Sequence, residues 1–223
     1  MAPPARQFTR LLLKWFRRHG RPLPWRATRD PYRVLVSEFM LQQTQVSRVT
    51  GYYDRFLRKY PTIATLARAR PRAVRETWEG LGYYARARNL HRLARVVVKR
   101  HDGHVPDDPE TLRTLPGVGA YTAGAVACFA YEKREPTVDT NVARVLTRVF
   151  KRGKREGGRG KSKASAKETW ALARTLLPQR RTAAWRFNQA LMDLGATICV
   201  ARAPRCGICP VRSACATGRQ APG

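Results

Sequence analysis

The sequence of 223 residues predicts an all-α fold. Three observations carry this reading. Apolar residues recur at helical spacing in one segment after another, most plainly at Val46, Val49, Tyr53, Phe56, Leu57 and Tyr60. Helix openings are written as a capping aspartate followed by proline, at Asp30-Pro31 and at Asp108-Pro109. From Ala69 to Tyr131 no stretch alternates apolar with polar residues, as a half-buried strand must.

The elements follow in order. Phe8, Leu11, Leu12 and Trp15 form one helical stripe that ends at Gly20, with Arg17, Arg18 and His19 on its polar face. The segment Arg21-Pro22-Leu23-Pro24-Trp25-Arg26 is expected to be extended, because its two prolines oppose a helix. Asp30-Pro31 opens the next helix, through about Gln42, and it is apolar on most sides. Glu38 is the exception there, among Val34, Val36, Phe39, Met40 and Leu41, and a buried carboxylate is costly unless it is partnered or used. The helix of Val46 to Tyr60 stops at Pro61. Further helices are expected around Thr62 to Ala67, Arg72 to Glu79 and Ala85 to Lys99, with the turn Gly80-Leu81-Gly82-Tyr83-Tyr84 between the second and third. Its two tyrosines are expected to be exposed, where they can stack on bases or pack on the protein.

A short helix from Asp108-Pro109 leads into Leu115-Pro116-Gly117-Val118-Gly119. Both glycines are expected to permit left-handed dihedrals, so that successive N–H groups face outward at the start of the next helix and can bind phosphate. A plain αα-hairpin uses the same glycines for the turn alone. The next helix, from Ala120 to about Tyr131, carries Ala123, Gly124, Ala125 and Ala127, which let a neighbouring helix approach closely. Asp139 stands where it would cap the helix marked by Val142, Val145, Leu146, Val149 and Phe150. A carboxylate at a helix N-terminus beside a phosphate clasp also suits stabilisation of a cationic sugar. Residues 151–164, KRGKREGGRGKSKA, lack apolar periodicity and read as a flexible basic loop, either a solvated linker or a phosphate grip. Ser165-Ala166-Lys167-Glu168 is a capping box for a helix to about Leu177, and Thr182 is expected to open the last one, through Leu194.

Composition bounds the function. Hydrophobic residues are 43% of the chain, enough for one large or two small cores and against disorder. Forty-four Lys and Arg against 15 Asp and Glu give a net charge of +29, which implies a polyanionic partner. Five Trp and eight Tyr on a patterned core set the chain apart from ribosomal or chromatin packing proteins. No apolar run approaches the roughly 20 residues of a membrane span and no signal-peptide pattern opens the chain, so an intracellular, cytoplasmic and nucleoid-associated location without a membrane partner is expected. Cys199, Cys206, Cys209 and Cys215 cluster as C-x6-C-x2-C-x5-C. In a reducing compartment that spacing reads as metal ligation, with an iron-sulfur cluster or zinc as the alternatives, whereas Cys128 reads as a buried apolar residue.

With these residues in place, the chain resembles the helix-hairpin-helix DNA glycosylases, and within them the catalytic domain of the MutY-type adenine glycosylases. The resemblance runs over about residues 8 to 218. It is carried by LPWR at 23–26, DPYRVLVSEFMLQQTQV at 30–46, GLGYYARARNLH at 80–91, LPGVGAYTAG at 115–124, VDTNVARVL at 138–146, FNQALMDLGATIC at 187–199 and the four cysteines. It implies a six-helix barrel domain at 28–136 containing the helix-hairpin-helix, and a second domain from 1–27 and 137–223 that holds a 4Fe-4S cluster. Glu38 matches the general acid that protonates a flipped adenine, and Asp139 the carboxylate that stabilises the oxocarbenium ion. Asn141 matches a residue that supports Asp139. Gln43 and Tyr83 match side chains that wedge into the base stack, Gly117 and Gly119 the phosphate-binding hairpin, and Trp25, Arg26 and Gln189 the adenine pocket.

The activity implied is base excision repair: a monomeric enzyme hydrolysing the N-glycosidic bond of adenine mispaired with guanine or 8-oxoguanine in double-stranded DNA. Strand-cutting relatives carry a lysine where Tyr121 stands, so a monofunctional enzyme is expected. A thymine or uracil mismatch glycosylase and a non-catalytic iron-sulfur DNA-binding module are the alternatives. Two departures bear on this. The sequence stops soon after Cys215, where MutY-type enzymes continue into a domain that reads 8-oxoguanine, so only a modest preference for that base is expected. Thr140 replaces the glycine that many members have next to the catalytic aspartate.

Overall fold

The computed structural model describes residues 3–150 and 165–220; the basic segment 151–164 lies outside the described residues. Among the described residues there are eleven α-helices and no strand. None of these helices is long and apolar enough to cross a membrane. The chain forms two compact units, one of residues 22–133 and one of residues 1–21 with 134–223.

In the unit of residues 22–133 the helices are α2 (Pro31–Leu41), α3 (Val46–Lys59), α4 (Ile63–Arg68), α5 (Pro71–Thr77), α6 (Ala85–Arg100), α7 (Pro109–Arg113) and α8 (Ala120–Phe129). Their starts are set locally. The Asp30 carboxylate accepts the Tyr32 and Arg33 amides at 2.8 and 3.2 Å, with Pro31 in the first turn. Asp108 accepts the Thr111 amide at 2.8 Å, and Thr62 and Thr65 cap α4 reciprocally. The α2 helix is buried from Tyr32 to Met40 apart from Arg33, and it packs against α3, α6 and α8. Every residue of α8 from Thr122 to Phe129 is buried, Cys128 included, which its small side chains permit. Trp78, fully buried, meets Phe56 edge to face at 5.8 Å. The Tyr32 hydroxyl donates to the Tyr60 carbonyl at 2.8 Å, and burial pushes that phenol far above its ordinary pKa.

Three expectations are corrected in this unit. Pro24–Arg26 is a 3₁₀ turn rather than extended chain, because the fixed φ of Pro24 is that of a first helical position and the Arg26 amide reaches the Leu23 carbonyl at 2.9 Å. In the hairpin, only Gly117 is left-handed, with φ of 78°. Leu115 to Val118 form one hydrogen-bonded turn with proline second and glycine third, so a single left-handed residue suffices. A Cβ at Gly117 would stand 2.8 Å from Asn89 Cβ and 2.9 Å from Phe39 Cε1. Gly119 has φ of −93° and ψ of 179°, ordinary extended backbone, and a Cβ there would meet nothing within 4 Å. Tyr83 is exposed as expected, but Tyr84 is half-buried under Arg75, whose guanidinium lies 5.1 Å from the ring centroid.

The other unit contains α1 (Pro3–His19), α9 (Thr140–Phe150), α10 (Ala166–Leu176) and α11 (Arg181–Thr197). Phe8 and Leu12 of α1 are fully buried with Val142, Val145 and Leu146 of α9 and with Phe187 and Leu194 of α11. The Phe8 ring meets Phe150 at 5.4 Å and Phe187 at 6.3 Å, both edge to face. Ser165 and Glu168 form the expected capping box of α10. The last helix begins at Arg181, one residue before Thr182, and runs past Leu194 to Thr197. Asp193 on α11 is fully buried and receives the Arg21 amide at 3.0 Å and its guanidinium at 2.6 Å, which fixes the chain where it leaves α1.

The two hairpin glycines should therefore respond differently to alanine. Gly117→Ala meets both a left-handed backbone and an occupied space, and should lose about 2–4 kcal/mol of unfolding free energy. Gly119→Ala should change it by less than about 1 kcal/mol. Urea denaturation of both variants checks this, and equal losses at the two positions would refute the assignment.

Candidate active site

In the unit of residues 22–133, Glu38 is 4% exposed on α2, in a helix whose neighbours Ser37 and Phe39 are also buried. Gln43, just beyond the C-terminus of α2, and Tyr83, just before α6, are both left-handed, with φ of 56° and 48°. Such backbone is costly for a residue with a Cβ and is kept where the surroundings impose it. Trp25 is buried edge-on to Tyr53 at 5.5 Å, and Arg26 beside it is half-buried. Tyr121 is half-buried in the first turn of α8, above Gly119.

In the other unit, Asp139 stands at the N-terminus of α9. Its Oδ1 accepts the Val142 amide at 2.6 Å and its Oδ2 accepts Asn141 Nδ2 at 3.1 Å. The side chain of Asn141 is held in turn. Its Oδ1 accepts Arg144 Nη2 at 2.8 Å, and the same nitrogen donates to the Gly195 carbonyl of α11 at 2.8 Å. Arg144 Nε donates to the Cys199 carbonyl at 2.9 Å. One guanidinium thus connects the residue beside Asp139 to the first of the four cysteines. The close approach needs Gly195, where a Cβ would stand 2.8 Å from Asn141 Cβ. Gln189 is buried on the same helix, α11, 4% exposed.

The four C-terminal cysteines are free and line one recess together with Val145, Val149, Leu194 and Val211. Burial pushes the Cys209 thiol up to about 11. N–H groups face the sulfurs: the Gly218 amide donates to Cys215 Sγ at 3.2 Å and Arg148 Nη1 to Cys199 Sγ at 3.5 Å. Arg148 also donates to the Val200 and Ala201 carbonyls at 2.7 and 2.9 Å. Among the described residues no group of three or more His, Cys, Asp or Glu side chains is arranged to hold a single metal ion. The sulfurs line an apolar recess in which one backbone amide and one guanidinium donate to two of them, as thiolate ligands require.

Spacing and composition singled out Asp139 and the cysteines, and the family resemblance added Asn141, but Arg144 and Arg148 were missed, since an arginine on a chain of net charge +29 carries no signal of its own. Their position on α9, at three and seven residues after Asn141, puts them on the face of that helix turned to the cysteine loop.

A tight glycine turn between α7 and α8, a capped aspartate at the start of α9 and a four-cysteine recess are the features of a helix-hairpin-helix protein. Residues 36–172 match the model of the HhH-GPD superfamily base excision DNA repair proteins, and the chain belongs to that family. It is 49% identical over 201 residues to the adenine DNA glycosylase of Mycobacterium tuberculosis (strain ATCC 25618 / H37Rv), covering 90% of this chain and 64% of that protein. With the adenine DNA glycosylase of Homo sapiens it shares 45% identity over 213 residues, which is 92% of this chain and 38% of the human one. The chain thus spans about two thirds or less of the lengths of these relatives. Among solved structures, a thermostable thymine-DNA glycosylase aligns with a TM-score of 0.86 and 33% identity, over 98% of each chain. A complex of endonuclease III with DNA has the same fold, with a TM-score of 0.79 at 24% identity.

The Arg144 fork should be tested by exchange for lysine, which keeps the charge but cannot serve Asn141, Gly195 and Cys199 together. Arg144→Lys should lose about 1–3 kcal/mol of stability, the cost of partly buried acceptors left without donors. Urea unfolding reads this directly, and wild-type stability in the lysine variant would show that the fork is dispensable.

Proposed function

We propose that the protein is a monofunctional DNA glycosylase that releases adenine mispaired with guanine or 8-oxoguanine from double-stranded DNA. The observation that carries this reading is Asp139, held by the Val142 amide and Asn141 at the start of α9 within the motif VDTNVARVL. Hydrolysis of an N-glycosidic bond has two requirements, a proton for the leaving base and a negative charge for the sugar cation. Glu38, the one carboxylate buried on α2, supplies the proton to the flipped adenine. The C1′–N9 bond then breaks with its electron pair leaving on the base. Asp139 stabilises the oxocarbenium ion at C1′, and water adds there to give an abasic site. Gln43 and Tyr83 enter the stack vacated by the base, while Trp25, Arg26 and Gln189 receive the adenine. Gly117 and Gly119 present backbone amides to a phosphate. Tyr121 offers no amine for a Schiff base, so the strand stays intact.

Adenine is favoured by LQQTQV at 41–46 and GLGYYARARN at 80–89, together with the 49% identity to an adenine glycosylase. A thymine or uracil mismatch glycosylase is the second reading, supported by the end-to-end likeness to a thymine-DNA glycosylase. Cys199, Cys206, Cys209 and Cys215 would hold a 4Fe-4S cluster, which supplies structural cross-linking of residues 199–215 rather than chemistry on the base. Arg148 and the Gly218 amide orient two of the sulfurs for it.

Iron and sulfide analysis should find about four irons per chain, with a visible absorption shoulder. Stoichiometric zinc would overturn the cluster assignment.

A panel of mismatched duplexes assayed for free base separates adenine from thymine or uracil release. On the preferred duplex, Asp139→Asn and Glu38→Gln should each lower excision by orders of magnitude while binding persists. Borohydride should trap no covalent adduct in high yield. Near-normal release by Asp139→Asn would remove that residue from the mechanism.

A further inference from the structure

Arg86 is 6% exposed in the first turn of α6, yet no carboxylate pairs with it among the described residues. Its guanidinium is spent on backbone carbonyls. Nη1 donates to the Phe39 and Met40 carbonyls at 3.1 and 2.7 Å and also to that of Gln42. Nη2 donates to the Leu81 and Gly82 carbonyls at 3.2 and 3.1 Å. The backbone amide of Arg86 reaches the Tyr83 carbonyl at 2.9 Å, and the guanidinium carbon lies 5.4 Å from the Tyr83 ring centroid and 5.5 Å from that of Trp78. Desolvation draws the pKa of this arginine below its usual value, so its burial has a cost that the carbonyls offset.

The position of those carbonyls is the informative part. Gln42 and Gly82 immediately precede Gln43 and Tyr83, two of the five non-glycine residues with left-handed backbone among the described residues, and Phe39 immediately follows Glu38. The Phe39 and Met40 carbonyls in the last turn of α2 and that of Gln42, its C-cap, are groups that a helix end leaves without partners, and a cation there also meets the negative end of the helix dipole. One rigid fork therefore grips the exit of α2 and the 80–84 turn together, at the bond before each strained residue. Lysine could not, since its single nitrogen cannot face both groups of carbonyls.

We propose that Arg86 is a positioning residue that locks Gln43 and Tyr83 into one pre-formed wedge, so that unstacking of the target base engages both at once. This rests on the reading above that these two side chains enter the base stack. Arg86 touches no substrate and acts only through them.

The test uses the full chain as purified, with Arg86→Lys, Gln43→Ala, Tyr83→Ala and the combined variants. Single-turnover release of adenine is measured from an A·G duplex and from a duplex in which the adenine faces an abasic-site analogue and is already loosely stacked. Arg86→Lys should be about 100-fold slower on A·G, the scale of a small misplacement, and near normal on the abasic duplex. Added to the variant lacking both wedge side chains, it should cost little more. Equal loss on both duplexes, or losses that multiply, would overturn the proposal while leaving the wedge reading in place. Full activity of Gln43→Ala and Tyr83→Ala on A·G would instead overturn the wedge reading, and this proposal with it. If Arg86→Lys does not fold, native-state hydrogen exchange of the unaltered chain decides: the amides of Thr44 and Arg86, bonded to the Leu41 and Tyr83 carbonyls, should open with one common free energy, and independent opening would refute the lock.

Discussion

Arg144 is the interaction on which the aspartate-bearing unit depends. Its guanidinium serves Asn141, the end of α11 at Gly195 and the Cys199 carbonyl at once. Asn141 in turn donates to Asp139. The capped start of α9 is therefore braced from outside its own turn, which a helix N-terminus cannot achieve with backbone alone. The brace exists because Gly195 lets α9 and α11 come close enough for one planar side chain to span them.

The same device recurs. Arg86 binds the carbonyls at the end of α2 and in the 80–84 turn, Arg134 those of Leu177 and Pro178, and Arg148 those of Val200 and Ala201. In each case a helix end or the loop beyond it has carbonyls without backbone partners, and a five-donor fork serves several of them with one side chain. The large positive charge thus has two uses in this fold. Exposed cations such as those along α1 and α6 face solvent and suit a phosphate backbone, while a handful turn inward and act as backbone braces.

The chemistry proposed for the protein fits this construction. Charge developing on a sugar and a leaving base is stabilised best by groups that need not move when the reaction occurs. Asp139 with a donor on each oxygen, and Glu38 in a helix buried almost all round, are both held before any substrate arrives. The cysteine recess contributes to the same end mechanically, since its first member shares Arg144 with Asn141.

The sequence by itself determined the helices and their starts, because caps and apolar periodicity act within a few residues: Asp30-Pro31, Asp108-Pro109, the Ser165 box and the stripe of Val142 to Val149 are all found as expected. It also singled out Glu38, Asp139 and the cysteines, since a carboxylate in an apolar run and a cysteine cluster are conspicuous in composition alone. What only the tertiary structure decided is which glycine is strained, where Trp25 packs, and which few of the many arginines brace the site. Gly117 is confined by Asn89 and Phe39, and Trp25 by Tyr53, all distant in sequence. Arg86 reaches carbonyls up to 47 residues away, and Arg144 one that is 55 residues away. No local pattern encodes such partners, because a guanidinium obtains its acceptors from whichever chain ends the packing brings to it.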